Sequence, residues 1–234
     1  ASDVYKRQCD MDSIMSIAED HNLFVVEDAA QALGSKFKGK SAGTFGIASA
    51  ISFFPAKVLG CLGDGGAVLT QDKTMFDKIY QMHDHGRSIT GDVISWGRNS
   101  RLDNLNAAIL NHKLNNFDKV IEKRRSIARL YHKNLSSIDE LRLPPSPDTC
   151  EVNYDIFQNY ELCAKQRDEL REFLLKMGVG TLVQWGGKAL NHHEGLGLER
   201  KLPCVDRFFQ ECLMLPMNIF LSDNDVMYVV SKVK

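Results

Sequence analysis

The sequence has almost no net charge: 29 Lys and Arg stand against 30 Asp and Glu, a formal −1 over 234 residues. So even a balance lacks the clustered basic surface that neutralises phosphates, which makes nucleic acid a poor partner. No apolar run approaches the roughly 18 residues that span a bilayer, and the opening ASDVYKRQ has no stretch of signal-peptide type. These absences point to a soluble, cytoplasmic protein with no membrane partner. Cysteine is sparse, with six residues at Cys9, Cys61, Cys150, Cys163, Cys204 and Cys212, and no C-x-x-C pair. That spacing excludes a secreted disulfide scaffold and reads as reduced, mostly packed thiols. The glycine-rich loop GCLGDGG, from Gly60 to Gly66, has neither the G-x-x-x-x-G-K nor the G-x-G-x-x-G phosphate fingerprint. An initiating methionine is also missing, since the first residue is Ala1; the chain reads as processed or as a fragment.

What is present suits one large or two modest globular domains, with 44% hydrophobic and 25% charged residues. Met11, Ile14 and Ala18 recur at helical spacing, and the continuous run Leu23 to Val26 predicts a buried strand. ASAISFF and the AVLT of Ala67 to Thr70 predict two more, so the alternation of elements is that of an α/β sheet. From Leu102 to Leu135 the spacing predicts a long helical arm. Pro144, Pro145 and Pro147 deny the backbone its helical donors, and a domain boundary is placed there, giving residues 1–143 and 144–234. The second segment holds strand candidates IFQNYELCA and VGTLVQW. It also holds a helix from Arg167 to Met177, with Leu170, Phe173, Leu174 and Met177 on one face. A last helix is announced by Ser222 with Asp225 three residues on, followed by Val226, Val229 and Val230.

Asp28 ends the first apolar strand, and ligands bind at the carboxyl ends of strands in open α/β sheets; an Asp there also serves as a turn former or cap. Lys57 follows the second strand in SFFPAK. On the surface it is an ordinary solvated lysine, whereas burial would lower its pKa and leave a neutral amine able to attack a carbonyl. Together the two residues match the needs of pyridoxal 5'-phosphate, a lysine for the aldehyde and an acid beside the pyridine nitrogen. Ser52 reads as a phosphate contact or a plain strand serine, and GCLGDGG as a tight turn between strands. The pairs His83/His85 and His192/His193 lack the further ligands that zinc requires, so no metal is expected.

The ordered blocks VVEDAAQALGSKFKGKSAGTFG, SFFPAKVLGCLGDGGAVLT and HGRSITGDVISWGRNSRLDNLNAAIL resemble the DegT/DnrJ/StrS family of sugar aminotransferases, and the likeness runs from about Cys9 onward. The resemblance implies an aspartate-aminotransferase-type fold (fold type I), a mixed, mainly parallel sheet with helices and a smaller C-terminal α/β domain. Residues 1–143 would be part of the large cofactor-binding domain. The resemblance further implies Lys57 as the cofactor-bonded lysine and general acid/base, Asp28 as the pyridinium partner, Gln31 at the cofactor ring and Ser52 at its phosphate. Asn99 would reach the cofactor phosphate of a neighbouring subunit, which implies a homodimer with shared active sites. The reaction implied moves an amino group, usually from glutamate, onto a nucleotide-linked keto-sugar, for surface polysaccharide or a glycosylated metabolite. The resemblance also implies that amination is favoured by Lys57, since some relatives with histidine at that position act as dehydratases.

This sequence departs from the family pattern at Ile47, where an acidic residue is common, and at Asn106, where Gln is common. QWGGKALNHH lacks the tyrosine-proline and histidine pattern of the sugar-binding loop, while LGDGGA and NSRLD resemble relatives that aminate the third sugar carbon. ASDVYKRQ does not resemble the family, whose members carry an N-terminal portion supplying phosphate-binding amides and an aromatic that stacks on the ring. The expectation is an N-terminally truncated chain, inactive alone. Two rival readings are a non-catalytic relative that binds the cofactor or a nucleotide sugar in a regulatory or assembly role, and a nucleotide-binding module without covalent chemistry.

Overall fold

The computed structural model describes residues 9–149, 152–198 and 200–234. In chain order its elements are α1 (Met11–Asp20), β1 (Val26–Asp28), β2 (Lys36–Phe37), β3 (Lys40–Ser41), β4 (Ala48–Ser52), β5 (Gly66–Leu69), α2 (Lys73–His83), α3 (Asn104–Leu114) and α4 (Phe117–Leu135). They continue with β6 (Leu141–Arg142), β7 (Asn153–Tyr154), β8 (Tyr160–Ala164), α5 (Arg167–Lys176), α6 (Pro203–Glu211), β9 (Cys212–Leu215) and α7 (Asp223–Val233). The chain forms two compact units. One runs to Ile121 and takes in the segment that ends at Ile156; the other holds Glu122 to Cys150 and Phe157 to Lys234. Among the described residues no helix is long and apolar enough to cross a membrane.

The first unit holds the sheet β1-β4-β5 and the small sheet β3-β2-β7. β1 runs parallel to β4, in the register Val26↔Ala48, Glu27↔Ser49 and Asp28↔Ala50. β5 returns antiparallel to β4. This sheet is therefore mixed, as expected, but the described strands are not mainly parallel. β1 with β4 is the one parallel pair among the described residues, and the other five pairings are antiparallel. The loop from Phe53 to Gly65 turns the chain straight back on β4, and a direct return of this kind can only pair strands antiparallel. The run Leu23 to Val26 also departs from its expected burial. The strand begins only at Val26, and Leu23, Phe24 and Val26 are exposed. β1 has a sheet neighbour on one side alone, so nothing among the described residues covers that run.

The second unit carries the larger core. Ile127, Tyr131 and Leu135 of α4 pack with Tyr160 and Leu162 of β8, Leu213 and Leu215 of β9, Leu174 of α5, and Val226 and Val230 of α7. The Tyr131 hydroxyl donates to the Pro216 carbonyl at 2.9 Å, which satisfies a polar group that would otherwise be costly to bury. α7 starts where expected, with the Ser222 hydroxyl accepting the Asp225 N–H and the Asp225 carboxylate accepting the Ser222 N–H. Pro144, Pro145 and Pro147 lie within this unit.

Several expected boundaries shift. The helical arm is two helices, because the chain turns at Asn115 and Asn116 between α3 and α4. IFQNYELCA is strand only from Tyr160, since Phe157 takes a left-handed φ of 52° that breaks an extended run. VGTLVQW contributes only the bridge from Leu182 to Met214, and the positive φ of Trp185 and Gly186 ends any extended run there. Of the α5 face, Leu174 is buried while Phe173 and Met177 are exposed. Cys61, Cys163 and Cys212 are buried free thiols; Cys150 lies outside the described residues.

Leu162 is fully buried on the central strand of its sheet. Leu162→Ala should lower unfolding free energy by about 2–5 kcal/mol, with the spread set by how far the cavity collapses. Leu175→Ala, at a position 68% exposed on α5, should change it by no more than about 0.5 kcal/mol. Denaturant titration of both variants checks the pair; equal losses would contradict the placement of this core.

Candidate active site

Strand alternation sorts the residues at the carboxyl ends of β1 and β4 onto two faces. Asp28, its register partner Ala50 and then Ser52 share one, on which Asp28 and Ala50 are exposed and Ser52 half-buried. Glu27, Ser49 and Ile51 share the other and are buried. Adjacent carboxylates thus have opposite surroundings. The Ala29 N–H donates to the Ala50 carbonyl at 2.9 Å, which carries the strand pairing one residue past Asp28. Asp28 Oδ1 accepts the Ala30 N–H at 3.1 Å, so its local turn-forming role is real as well. Gln31 lies half-buried in the turn that follows.

Glu27 makes the buried counterpart. Its Oε2 accepts the Gly43 N–H at 2.7 Å, and its Oε1 accepts those of Phe45 at 2.6 Å and Gly46 at 2.9 Å. The Ser49 hydroxyl donates to the Gly43 carbonyl at 2.7 Å. The glycines are required here: Gly43 has φ +84°, and a Cβ on Gly46 would lie 2.2 Å from the Val25 carbonyl oxygen.

Lys57 rides on the loop between β4 and β5. The base of that loop is closed by Phe53 N–H to the Gly65 carbonyl and Cys61 N–H to the Phe53 carbonyl, both 2.8 Å, and the Lys57 N–H donates to the Phe54 carbonyl at 2.9 Å. The Phe54 N–H donates to Ser52 Oγ at 3.3 Å. Leu59 and Cys61 anchor the loop in a cluster with Leu110. α3 holds it from below: Lys113 Nζ donates to the Gly60 carbonyl at 2.5 Å, and Asn106 Oδ1 accepts the Leu62 N–H at 3.3 Å. Asn106, a departure from the family pattern, is therefore a working contact to this loop. Burial draws the Lys57 amine below its ordinary pKa, and the Asp28 carboxylate draws it partly back up. The two residues singled out in the sequence are thus close enough to interact electrostatically.

The structure brings Asp28, Ser52 and Lys57 to one end of one sheet, with Gln31 in the adjoining turn. Asn99 is elsewhere in the unit, on an exposed segment that pairs it with Asp84, and its Oδ1 accepts the Arg101 Nε–H at 3.3 Å. Glu27, Ser49 and Lys113 are supporting residues that sequence reasoning missed, and Asn106 was noted there only as a departure from the family pattern. Glu27 had a signal: it alternates with Asp28, and glycines that permit close backbone approach follow in AGTFG. Lys113 had none, being 53 residues from the carbonyl it holds.

The site thus sets a half-buried lysine beside a carboxylate at the carboxyl ends of the parallel pair β1 and β4. The chain belongs to the DegT/DnrJ/EryC1/StrS aminotransferase family, whose model matches residues 2–234. That match takes in most of ASDVYKRQ, which in sequence alone shows none of the pattern and lies outside the described residues. The chain is 36% identical over 239 residues to the pleiotropic regulatory protein of Geobacillus stearothermophilus, covering 98% of this chain and 62% of the relative. It is 32% identical over 235 residues to the dTDP-3-amino-3,4,6-trideoxy-alpha-D-glucose transaminase of Streptomyces venezuelae, covering 99% and 61%. The crystal structure of S. venezuelae DesV in complex with a ketimine intermediate superposes with a TM-score of 0.90 at 31% identity, covering 98% of this chain and 62% of that one. The chain therefore spans less than two thirds of the length of these relatives.

The residues present fit pyridoxal 5'-phosphate in kind. Lys57 offers an amine, Asp28 a carboxylate for a cationic ring nitrogen, Ser52 a hydroxyl, and Ala50 a small side chain on the open face between them.

Because burial lowers the Lys57 pKa, acylation of Lys57 in the cofactor-free protein should reach half its maximal rate below the ordinary lysine value of about 10.4. Asp28→Asn removes a raising influence, so it should move that midpoint lower still and speed acylation at neutral pH. Peptide mass spectrometry across a pH series measures both; a midpoint at or above the ordinary value, unmoved by Asp28→Asn, would contradict the geometry.

Proposed function

We propose that the protein carrying this chain is a pyridoxal-phosphate-dependent aminotransferase that moves an amino group, with glutamate as donor, onto a nucleotide-linked keto-sugar. The observation that carries this reading is the pairing of Lys57 with Asp28 at the carboxyl ends of β1 and β4, where burial lowers the amine's pKa and the carboxylate is the counter-charge. When bound, pyridoxal 5'-phosphate supplies an electron sink for the carbanion that forms as the substrate loses a proton. Lys57 would hold the cofactor through its amine and would carry the proton during transfer. Asp28 would stand beside the ring nitrogen as the counter-charge that favours its protonated form. Ser52 offers its hydroxyl to the phosphate, and Gln31 contacts the ring region.

Asn99 serves the cofactor phosphate of a second subunit in this reading, which makes the protein a homodimer with shared sites. Its exposed position, apart from the other four residues, agrees with a role outside its own site. The third sugar carbon is the proposed point of amination, supported by the product named for the S. venezuelae transaminase. The product would feed surface polysaccharide or a glycosylated metabolite, and the proposed compartment is the cytoplasm.

One observation favours a second reading, a non-catalytic role in regulation or assembly: the G. stearothermophilus relative is named a regulatory protein. Against it, Lys57, Asp28, Gln31, Ser52 and Asn99 are all retained.

Borohydride reduction of the cofactor-loaded protein should leave a stable adduct on Lys57 and on no other lysine. A single turnover with glutamate should transfer the amino group, and Lys57→Arg should slow that transfer by about 10²–10⁴-fold, the range for losing a positioned acid/base. Cofactor bound without transfer from glutamate would favour the regulatory reading; labelling at another lysine would overturn the site.

A further inference from the structure

We propose that Glu27 is a positioning residue for Asp28: its carboxylate clamps the end of β1 to the loop from Gly43 to Gly46 and thereby sets the direction from which Asp28 meets the cofactor ring. The inference rests on the role given to Asp28 above and adds a second, buried carboxylate that never touches the cofactor.

The geometry is specific to such a clamp. Glu27 is 9% exposed, and burying a carboxylate is costly unless it is fully hydrogen-bonded. Both of its oxygens are engaged, by three backbone N–H groups within a four-residue segment. Its register partner Ser49 holds the same segment from β4 through the Gly43 carbonyl. The two strands are thus tied to one loop at the pair Glu27↔Ser49, and the next pair along is Asp28↔Ala50. Successive side chains leave a strand on opposite faces, so a rotation of β1 that frees Glu27 swings Asp28 by the same angle. Gln cannot replace Glu27 in this clamp, because its amide nitrogen would point a donor at backbone donors.

Hydrogen exchange and cofactor absorbance, measured on the protein as its own gene encodes it, test this. In Glu27→Gln the Gly43, Phe45 and Gly46 amides should exchange faster, and affinity for pyridoxal 5'-phosphate should fall about tenfold, as expected for losing one charge-assisted hydrogen bond. The pH at which the bound cofactor's absorbance titrates should move in the direction produced by Asp28→Asn. The double variant Glu27→Gln/Asp28→Asn should titrate as Asp28→Asn alone, because both changes act through one carboxylate. Ser49→Ala, which removes a single bond to Gly43, should shift the titration the same way by less, and it decides the matter if Glu27→Gln does not fold. Faster amide exchange with an unmoved titration, or additive shifts in the double variant, would overturn the proposal while leaving Asp28's role intact. An unmoved titration in Asp28→Asn itself would overturn that role, and the inference with it.

Discussion

The parallel register of β1 on β4, with Glu27 beside Ser49 and Asp28 beside Ala50, decides which chemistry each side chain can do. A slip of one residue would exchange the faces. Asp28 would then be buried against the Gly43–Gly46 loop and Glu27 would stand at the open face. The register is held by bonds that only this pairing satisfies, three N–H groups on Glu27 and one hydroxyl on the Gly43 carbonyl. Lys57 depends on the same strands, since its loop leaves β4 at Ser52 and re-enters the sheet as β5 at Gly66, opposite Ser52.

The two compact units solve their packing differently. The second buries side chains from three helices and two strands in one cluster. The first relies more on directional bonds: helix caps at Asp10 and Asp72, the Glu27 clamp, and the contacts of Lys113 and Asn106 to the lysine loop. Its buried cluster around Leu59, Cys61 and Leu110 is small. That division suits a site. Directional bonds fix the orientation of a few side chains, whereas apolar contacts mainly fix proximity.

Much of this was legible in the sequence where the signal is local. The Ser222–Asp225 box, the run Val226, Val229 and Val230 and the strand of ASAIS each lie within a few residues of their cause. Long-range contacts were not. Strand β9 owes its buried pattern to β8, and no feature of Cys212 to Leu215 distinguishes it from a helical segment. Trp185 and Phe157, at positive φ, stand outside any strand although their side chains favour one. The expected burial of Leu23 and Phe24 failed because hydrophobicity reports a tendency, while burial needs a neighbour in place. Glu27 shows the same limit: read along the chain it is one of two acids, and only the loop folding back from Gly43 makes it an internal anchor.

The account's central claim is that β1 presents one carboxylate to a cofactor and keeps its neighbour for the scaffold. A crystal structure of the protein as its gene encodes it, grown with pyridoxal 5'-phosphate, tests this most directly. The account predicts the ring nitrogen within hydrogen-bond distance of Asp28, the aldehyde carbon bonded to Lys57 Nζ, and Glu27 still on the amides of Gly43, Phe45 and Gly46. A cofactor ring facing Glu27, or bonded to a different lysine, would contradict it.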